Sequence, residues 1–286
     1  MNKNIILLDG KTIDPLSKSL ATTNILVSQT KIVGLGYMPD EKEEDLKKLS
    51  INGCLIFPQT VAFPSQILEK DLCLNPKKGL FSTFSIEDKN LNQVYNLVPI
   101  DRIKSQKNKA TGIVLTENSP LKEAISLAKL AKVPLVCKLT NSNAETILSE
   151  LEKEKVAAHL ELSDANLLNL LKSKTTHQLN ISTSLNLDYA NTSPDIINAL
   201  QSQVLNTFSC KLGQEEQWFN HIINTYKSQL KPEQLIQILS IHLHEFFNLK
   251  GWSLSINNKA NLLVVDSKTN NRSQIKHVIV NGLIIE

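Results

Sequence analysis

The chain has 286 residues, of which 41% are hydrophobic and 21% are charged, and its formal net charge is +3. This composition is typical of a globular protein that is long enough for one large α/β domain or two smaller ones. The small net charge does not indicate nucleic-acid binding, and no apolar run approaches the ~18 residues of a membrane helix. The apolar run near the N-terminus is too short for a signal peptide. We therefore expect a cytoplasmic protein with no nucleic-acid or membrane partner.

Both ends of the chain have the pattern of short strands separated by turns. The apolar runs are NIILLDGKTIDP and TNILVSQTKIVGLG in the first part, and ANLLVVDSKTNN and IKHVIVNGLIIE in the last part. Each run is too short to bury an apolar face alone, so we predict one small β-sandwich domain built from both termini, residues 1–56 and 250–286. Between these runs, the mixed charges of EKEEDLKK (41–48) indicate a solvated helix or loop.

The middle of the chain alternates between strand-like and helix-like segments. A helix is expected over residues 119–132, since Ser119 suits an N-cap, Pro120 suits the first turn, and apolar residues recur at helical spacing. A leucine-rich helix is expected over residues 163–174. Eight candidate strands lie at 60–63, 80–86, 94–100, 111–117, 134–140, 156–162, 179–185 and 204–210. Strands that alternate with helices in this number predict an α/β fold with a (β/α)₈ TIM-type barrel over residues 57–249.

The first half of the predicted barrel has links that are too short for complete βα units. Residues 87–93 join the second and third predicted strands, and residues 101–110 join the third and fourth without forming an apolar face. A parallel crossover needs about a dozen residues and usually contains a helix. We therefore predict a degenerate, shortened barrel in which one or two outer helices are missing.

The cysteines do not have the spacing of a metal site. Cys54, Cys73, Cys137 and Cys210 are scattered along the chain and form no C-x-x-C pair. Three of them lie in apolar, strand-like runs, which is typical of buried free thiols. We predict free thiols and neither disulfides nor zinc ligands.

Several segments resemble one family, the dihydroorotases of the amidohydrolase superfamily. The segments that carry the resemblance, in chain order, are LLDGKTIDPLSKSLATTNILVSQTKIVGLG, INGCLIFPQTVAF, ILSIHLHEFFNLKG, KANLLVVDSKTN and HVIVNGLIIE. They span the whole chain in the family's order, and the resemblance is most specific at the two ends. It implies a metallohydrolase barrel that is shorter than the family's own.

The resemblance also identifies where the family's site falls in this sequence. The H-x-H motif after the first barrel strand falls on Pro64 and Gln66, and the bridging carboxylate or carbamoylated lysine falls near Glu117. The two further histidine ligands fall on Lys138 and near Glu161. The catalytic aspartate falls on Ser209.

These residue types do not suit the family's chemistry. One or two zinc ions activate a water molecule in that reaction, and zinc prefers imidazole, thiolate or carboxylate ligands. A proline has no donor atom, a glutamine amide is a weak ligand, and a lysine places a cation beside the metal. A serine does not replace a carboxylate as general base. We therefore predict no catalytic residue, no metal site and no cofactor.

Other polar residues have both a chemical and a structural interpretation. His242 and His244 form the chain's only H-x-H pair, but residues at i and i+2 of a helix do not face one ligand, so a packing or solvated role is favoured. His159 fits core or interface packing better than metal ligation. For Lys138, a solvated or ion-paired role is favoured over a catalytic one. An acid–base pair of Glu117 and Glu161 stays the less favoured alternative.

The resemblance implies a role in which the chain has no catalytic activity. Some inactive dihydroorotase-like chains are structural subunits that hold the catalytic chain of aspartate carbamoyltransferase, an enzyme of pyrimidine biosynthesis, in a hetero-oligomer, which the resemblance suggests is a dodecamer. One alternative is an active metal-dependent cyclic amidohydrolase with unconventional ligands such as Glu117, Glu161 and His159. Another is a small-molecule binding module in the mouth of the barrel.

Overall fold

The protein is described by a computed structural model that covers residues 4–14, 17, 19–40, 45–65, 74–85, 94–103, 110–116, 119–173, 180–211, 213–266 and 273–285. Its strands are β1 (Asn4–Ile13), β2 (Leu20–Ser28), β3 (Lys31–Leu35), β4 (Leu46–Ser50), β5 (Leu55–Pro58), β6 (Val61–Pro64), β7 (Ser82–Ser85), β8 (Val94–Pro99), β9 (Gly112–Val114), β10 (Leu135–Leu139), β11 (Ala158–Leu162), β12 (Ile181–Asn186), β13 (Thr207–Cys210), β14 (Leu262–Asp266), β15 (Gln274–Val280) and β16 (Leu283–Ile285). Its helices are α1 (Leu121–Ala131), α2 (Ala144–Glu154), α3 (Leu167–Ser173), α4 (Pro194–Gln201), α5 (Glu215–Tyr226), α6 (Pro232–Ile236) and α7 (His242–Phe246).

The strands from both chain ends form one sheet in the order β16-β15-β14-β5-β1-β2-β3, with β4 paired to β1. Strand β14 joins the two ends, because it pairs antiparallel with β5 on one side and with β15 on the other. Apolar side chains from both ends, including Ile25, Val27, Leu262 and Val264, share one buried core. The prediction of a small β-sandwich domain built from both termini is confirmed.

The charged run at 41–48 needs a correction. Its last residues, 46–48, are in β4 and pair parallel with residues 4–6 of β1, whereas a helix or loop was expected. The side chains of Lys47 and Lys48 are exposed, so the charges are solvated as their pattern indicates. The backbone is extended because the edge of β1 offers hydrogen-bond partners, which a local charge pattern does not reveal. Residues 41–44 lie outside the described residues.

The eight strands β6 to β13 form a closed barrel of parallel strands. Each strand pairs with the next in the chain, and β13 closes the barrel by pairing with β6. Every one of the eight predicted strands overlaps an observed barrel strand. The predicted (β/α)₈ TIM-type barrel is therefore confirmed.

The helices of the second half cover the outside of the barrel. Ala124, Ile125 and Ala128 of α1 are buried, and they form the apolar face that helical spacing predicts. The helix begins at Leu121, so Pro120 occupies the position before the helix, and Ser119 bonds the Thr116 hydroxyl instead of capping. Between β6 and β9 the described helical residues are the 3₁₀ turns Pro76–Lys78 and Ile100–Arg102 and one α-helical residue, Ile103. Much of each link in that half lies outside the described residues, so the missing outer helices stay a prediction.

A π-helical turn, Gln237–Ile241, joins α6 to α7 and leads the chain to the amino-terminal end of the barrel. Ser240 in this turn donates a hydrogen bond to the carbonyl of Pro58, at the junction of the sandwich and the barrel. Leu243, Phe247 and Leu249 then pack with apolar side chains of the barrel strands. This segment therefore closes the amino-terminal end of the barrel.

The described cysteines are Cys54, Cys137 and Cys210, and all three are buried free thiols, as predicted. Burial raises the pKa of the Cys137 thiol to about 12, so this thiol is protonated and unreactive at neutral pH. Cys73 lies outside the described residues. No helix in the described part of the chain has the length and apolar character needed to cross a membrane.

Candidate functional site

The carboxyl ends of the barrel strands are where TIM-barrel enzymes carry their active sites. Lys138 in β10 and Glu161 in β11 are direct register partners near this end, and Glu161 is in turn the partner of Ser184 in β12. Ser209 in β13 is the partner of Phe63 in β6. The structure thus places the matched positions on neighbouring strands at one end of the barrel. Gln66 and Glu117 lie outside the described residues.

Strand β6 presents an aromatic ring to the barrel interior at Phe63, one residue before Pro64, the position matched to the first ligand of the family. Phe63 belongs to the apolar cluster inside the barrel, which we call the lumen. Pro64 follows it on an extended strand, where successive side chains point to opposite faces. Neither side chain has an atom that could bind a metal.

Ser209 occupies the position matched to the catalytic aspartate and is fully buried. Its neighbours Phe208 and Cys210 belong to the core outside the barrel, so Ser209 faces the lumen. Its hydroxyl has no hydrogen-bond partner among the described residues. A neutral serine hydroxyl is a much weaker base than a carboxylate. Ser209 therefore does not suit the role of general base.

The donor atoms at the described positions do not fit a zinc ion. Glu161 supplies one buried carboxylate, and its register partner Lys138 supplies an exposed ammonium group. Zinc sites in enzymes combine three protein ligands drawn from histidine, cysteine and carboxylates. Within the described residues, no three histidine, cysteine, aspartate or glutamate side chains lie close enough to share a metal ion.

Aromatic side chains pack against one another inside the lumen. The ring of Phe63 lies 4.0 Å from the imidazole of His159 and 5.2 Å from the ring of Phe84, measured between centroids. Phe247, from the segment that closes the amino-terminal end, lies 4.6 Å from Phe84. The lumen is therefore a packed core that joins both halves of the barrel to the closing segment.

A chain of hydrogen bonds crosses this aromatic core. His242 Nε2 lies 2.9 Å from Ser182 Oγ, which lies 2.9 Å from His159 Nδ1, and His159 Nε2 lies 3.1 Å from Ser184 Oγ. Each neutral imidazole donates through one nitrogen and accepts through the other, so the chain has a single direction in either tautomer. His159 is fully buried, as the packing interpretation predicts. Burial lowers the pKa of His159 well below its usual value, and the nearby His242 lowers it further.

His242 and His244 point to different partners, which agrees with the prediction from their spacing. His244 donates through Nδ1 to the Ser240 carbonyl at 2.5 Å and stacks on Trp252 at 4.8 Å. Burial lowers the pKa of both histidines to about 4, an effect opposed at His242 by Glu245 and at His244 by the hydrogen bond to Ser240. Both imidazoles are therefore neutral packing groups at neutral pH.

Sequence reasoning missed the relation between the lumen residues. The alternating polar residues of β12, in ISTSLN, carry the one signal that could have revealed it, since Ser182 and Ser184 lie on one face of the strand. The aromatic partners come from segments far apart in the chain, so no local pattern predicts that their rings meet.

Solved structures of similar fold match nearly the whole of this chain. The sequence matches no protein-family model and no curated protein. Solved structures with this fold include the L-hydantoinase (dihydropyrimidinase) from Arthrobacter aurescens, with a TM-score of 0.76 and 11% identity over 99% of this chain and 96% of that chain.

Two further solved structures are similar over nearly the whole chain. The dihydropyrimidinase from Brevibacillus agri NCHU1002 has a TM-score of 0.74 and 10% identity over 99% of this chain and 95% of that chain. The β-aspartyl dipeptidase from Fervidobacterium islandicum AW-1 has a TM-score of 0.71 and 11% identity over 99% and 96%. At these identities the likeness shows the fold alone, and it does not transfer the activities of those proteins to this chain.

Proposed function

We propose that this chain is a non-catalytic dihydroorotase-like protein of pyrimidine biosynthesis, which acts as a structural subunit for the catalytic chain of aspartate carbamoyltransferase. The observation that carries the proposal is the composition of the barrel's carboxyl end. Lys138 and Ser209 stand where the family has a zinc ligand and a general base, and Phe63 fills the adjacent lumen. Hydrolysis of a cyclic amide needs an activated water and a polarised carbonyl, and these residues supply neither.

An exposed apolar patch on the sandwich domain supports a role in assembly. Its members lie on β3, on the segment after it, on the turn at residues 256–257 and at the start of β16: Val33, Leu35, Met38, Ile256 and Leu283. The turn is held against β3 by the hydrogen bond from Asn257 N to the Ile32 carbonyl, at 2.8 Å. Strand β3 is also an edge of the sheet. Exposed apolar side chains at a sheet edge are typical of a protein interface.

The purified chain is expected to contain far less than one zinc ion per molecule and to show no dihydroorotase turnover in either direction. Restoring one histidine, as in Gln66→His, should not create activity, because the groups of such a site act as a unit. Elemental analysis of protein prepared without chelators and a spectrophotometric assay check both expectations. Near-stoichiometric zinc, with turnover that is lost in Glu117→Gln or Glu161→Gln, would instead establish the active amidohydrolase alternative.

Co-expression with the aspartate carbamoyltransferase of the same organism is expected to yield a stable hetero-oligomer. An obligate interface should bury more than ~2,000 Å² of largely apolar surface, so the chain alone should self-associate or dissolve poorly. Size-exclusion chromatography with light scattering measures the masses, and transferase assays with and without the chain measure the functional effect.

A pair of variants makes this experiment specific to the patch. Val33→Glu combined with Leu35→Glu should weaken the complex, because both side chains lie on the exposed face of β3. Leu130→Glu is the matched control, since Leu130 is 65% exposed on α1 and lies outside the patch. A monodisperse monomer that leaves the transferase's mass and activity unchanged would refute the assembly role.

A further inference from the structure

A groove lies at the amino-terminal end of the barrel, opposite the end where barrel enzymes carry out catalysis. It has a volume of about 650 Å³ and extends over the starts of β9 to β12. Lysines form its rim and apolar side chains contribute to its floor: Lys129, Lys132, Lys155, Lys250, Val133 and Phe246. We call this surface the basic groove.

Two of the rim lysines occupy equivalent places in successive βα units. Lys132 follows α1 and Lys155 follows α2, and each stands three residues before the next strand and directly before a valine. The strands that follow, β10 and β11, are paired in register from their first residues. Because paired strands are about 4.8 Å apart, the two Lys-Val pairs lie side by side along the groove.

The charge of the groove is not balanced by its own lining. No aspartate or glutamate is among the described residues that line it. Glu154, at the edge, bonds Lys129 at 2.7 Å, and this exposed pair contributes little to stability. Lys132, Lys155 and Lys250 have no carboxylate within ion-pair distance in the described part of the chain. The partial negative charge of the helix ends favours lysines here, but it does not account for the apolar floor beside them.

The floor offers an apolar contact that is already fixed in place. Phe246 is half-buried and packs edge-to-face on Phe247, with 5.2 Å between ring centroids. Val133 is half-buried at the other side of the groove. A ligand that carries both carboxylates and an apolar side chain would satisfy the rim and the floor together.

The surrounding backbone disfavours a compact anion such as phosphate. Phosphate sites use the free N–H groups at helix N-termini, whereas α1 and α2 end at this groove and direct carbonyl groups towards it. Flexible lysines spread along an open groove suit carboxylates that are spread along an extended chain. We propose that the basic groove docks an acidic polypeptide segment of a partner protein, with carboxylates on Lys132, Lys155 and Lys250 and an apolar side chain on the floor.

Fluorescence anisotropy with two labelled peptides of equal length tests the proposal on the full chain. One peptide alternates Glu with Phe and the other alternates Glu with Gly. The Glu–Phe peptide should bind more tightly than the Glu–Gly peptide, and its affinity should fall as salt is added, because exposed charges are screened. Lys132→Glu, Lys155→Glu and Lys250→Glu together should weaken its binding about tenfold or more.

The matched control combines Lys47→Glu, Lys172→Glu and Lys276→Glu, three exposed lysines outside the groove that give the same change in net charge. It should bind the Glu–Phe peptide within about twofold of the wild type. Equal loss in both triple variants would overturn the proposal in favour of non-specific charge attraction. Equal binding of the two peptides would contradict the proposed apolar contact with the floor. Tighter binding of an oligothymidylate than of the Glu–Phe peptide would overturn the proposal in favour of a nucleic-acid site. If the glutamate variant does not fold, the triple Lys→Gln variant serves in its place. This result does not depend on the transferase, so it can fail or succeed separately from the assembly role.

Discussion

Removal of the chain from Ala260 onward should unfold the N-terminal strands as well as delete the C-terminal ones. The deletion takes away β14, whose residues Leu262 to Val265 are all almost fully buried. Leu262 and Val264 pack in the sandwich core, whereas Leu263 and Val265 pack in the core shared with the barrel. Burial of one such side chain stabilises a protein by about 2 kcal/mol, so the four together match a typical free energy of unfolding of about 5–15 kcal/mol.

The deletion also breaks the hydrogen bonds at the junction of the two domains. Gln59 stands between β5 and β6, and its backbone N–H donates to the Asn261 carbonyl at 2.9 Å. The Asn261 side chain donates to Gln59 Oε1 at 3.0 Å. Without residue 261 these buried groups of Gln59 lose their partners, which adds to the apolar loss.

Thermal melts followed by circular dichroism, together with hydrogen exchange of the β2 amides, measure the effect. The amides of Ile25 and Val27 should lose their protection in the deletion variant. A shorter deletion from Asn281 removes only the last turn and β16 and should leave the β2 amides protected, because β14 and β15 remain. A deletion variant with the wild-type melting curve would show that the N-terminal strands are stable alone.

The sequence predicts the framework of this fold because each framework element has its own local signal. The eight barrel strands carry short apolar runs bounded by turn residues, and α1 carries an apolar face at helical spacing. The apolar runs at the two ends predict one shared domain, because each run is too short to bury its apolar face alone. β4 was missed, since its strand conformation comes from pairing with β1 and not from its charged residues.

The candidate site was only partly predictable for a similar physical reason. Sequence matching predicts that Lys138, Glu161 and Ser209 lie near one end of the barrel; the register pairs Lys138 with Glu161, whereas β12 separates Glu161 from Ser209. The packed lumen depends on rings that are far apart in the sequence, such as Phe63 and Phe247, which stack on each other in the structure. The basic groove likewise collects lysines from helix ends and from the loop after α7, so its charge emerges only when the chain is folded.

The free energy of unfolding should fall steeply as the pH is lowered from about 6.5 towards 4. Burial lowers the pKa of His242 and His244 to about 4, while an unfolded histidine has a pKa of about 6.5. Between these values the unfolded chain binds protons that the folded chain does not, so protonation favours unfolding. Above about pH 7 the effect vanishes, because both states are neutral there. Each histidine should contribute about 3 kcal/mol to the loss, and His159, whose pKa is also lowered, acts in the same direction.

The carboxylates with lowered pKa values titrate below the pH range 6.5 to 5. Lys129 holds the pKa of Glu154 below its usual value, and Lys211 and Gln214 do the same for Asp188. Stability from these groups is present above their unfolded pKa values, about 4, and is lost as the pH falls further. Both pairs are exposed, so they contribute little. Burial, together with Lys276 and Lys47, also lowers the pKa of His277, which acts in the same direction as the buried histidines. A decline between pH 6.5 and 5 therefore comes from histidines, and substitutions are needed to separate them.

Urea unfolding at a series of pH values measures this decline, and two substitutions assign it. His242→Gln keeps a donor near the place of Nε2, which contacts Ser182, and His244→Asn keeps one near Nδ1, which donates to Ser240. Neither amide titrates, so the free energy of unfolding of the double variant should depend less steeply on pH, by up to about 2.7 kcal/mol per pH unit. This change in slope is expected whatever the stability of the variant at pH 7. His221→Gln is the control, since His221 is exposed on α5 and contacts the Ala190 carbonyl through Nε2. A wild-type free energy that stays constant from pH 7 to 5, or a double variant with the wild-type slope, would contradict the assignment of acid sensitivity to His242 and His244.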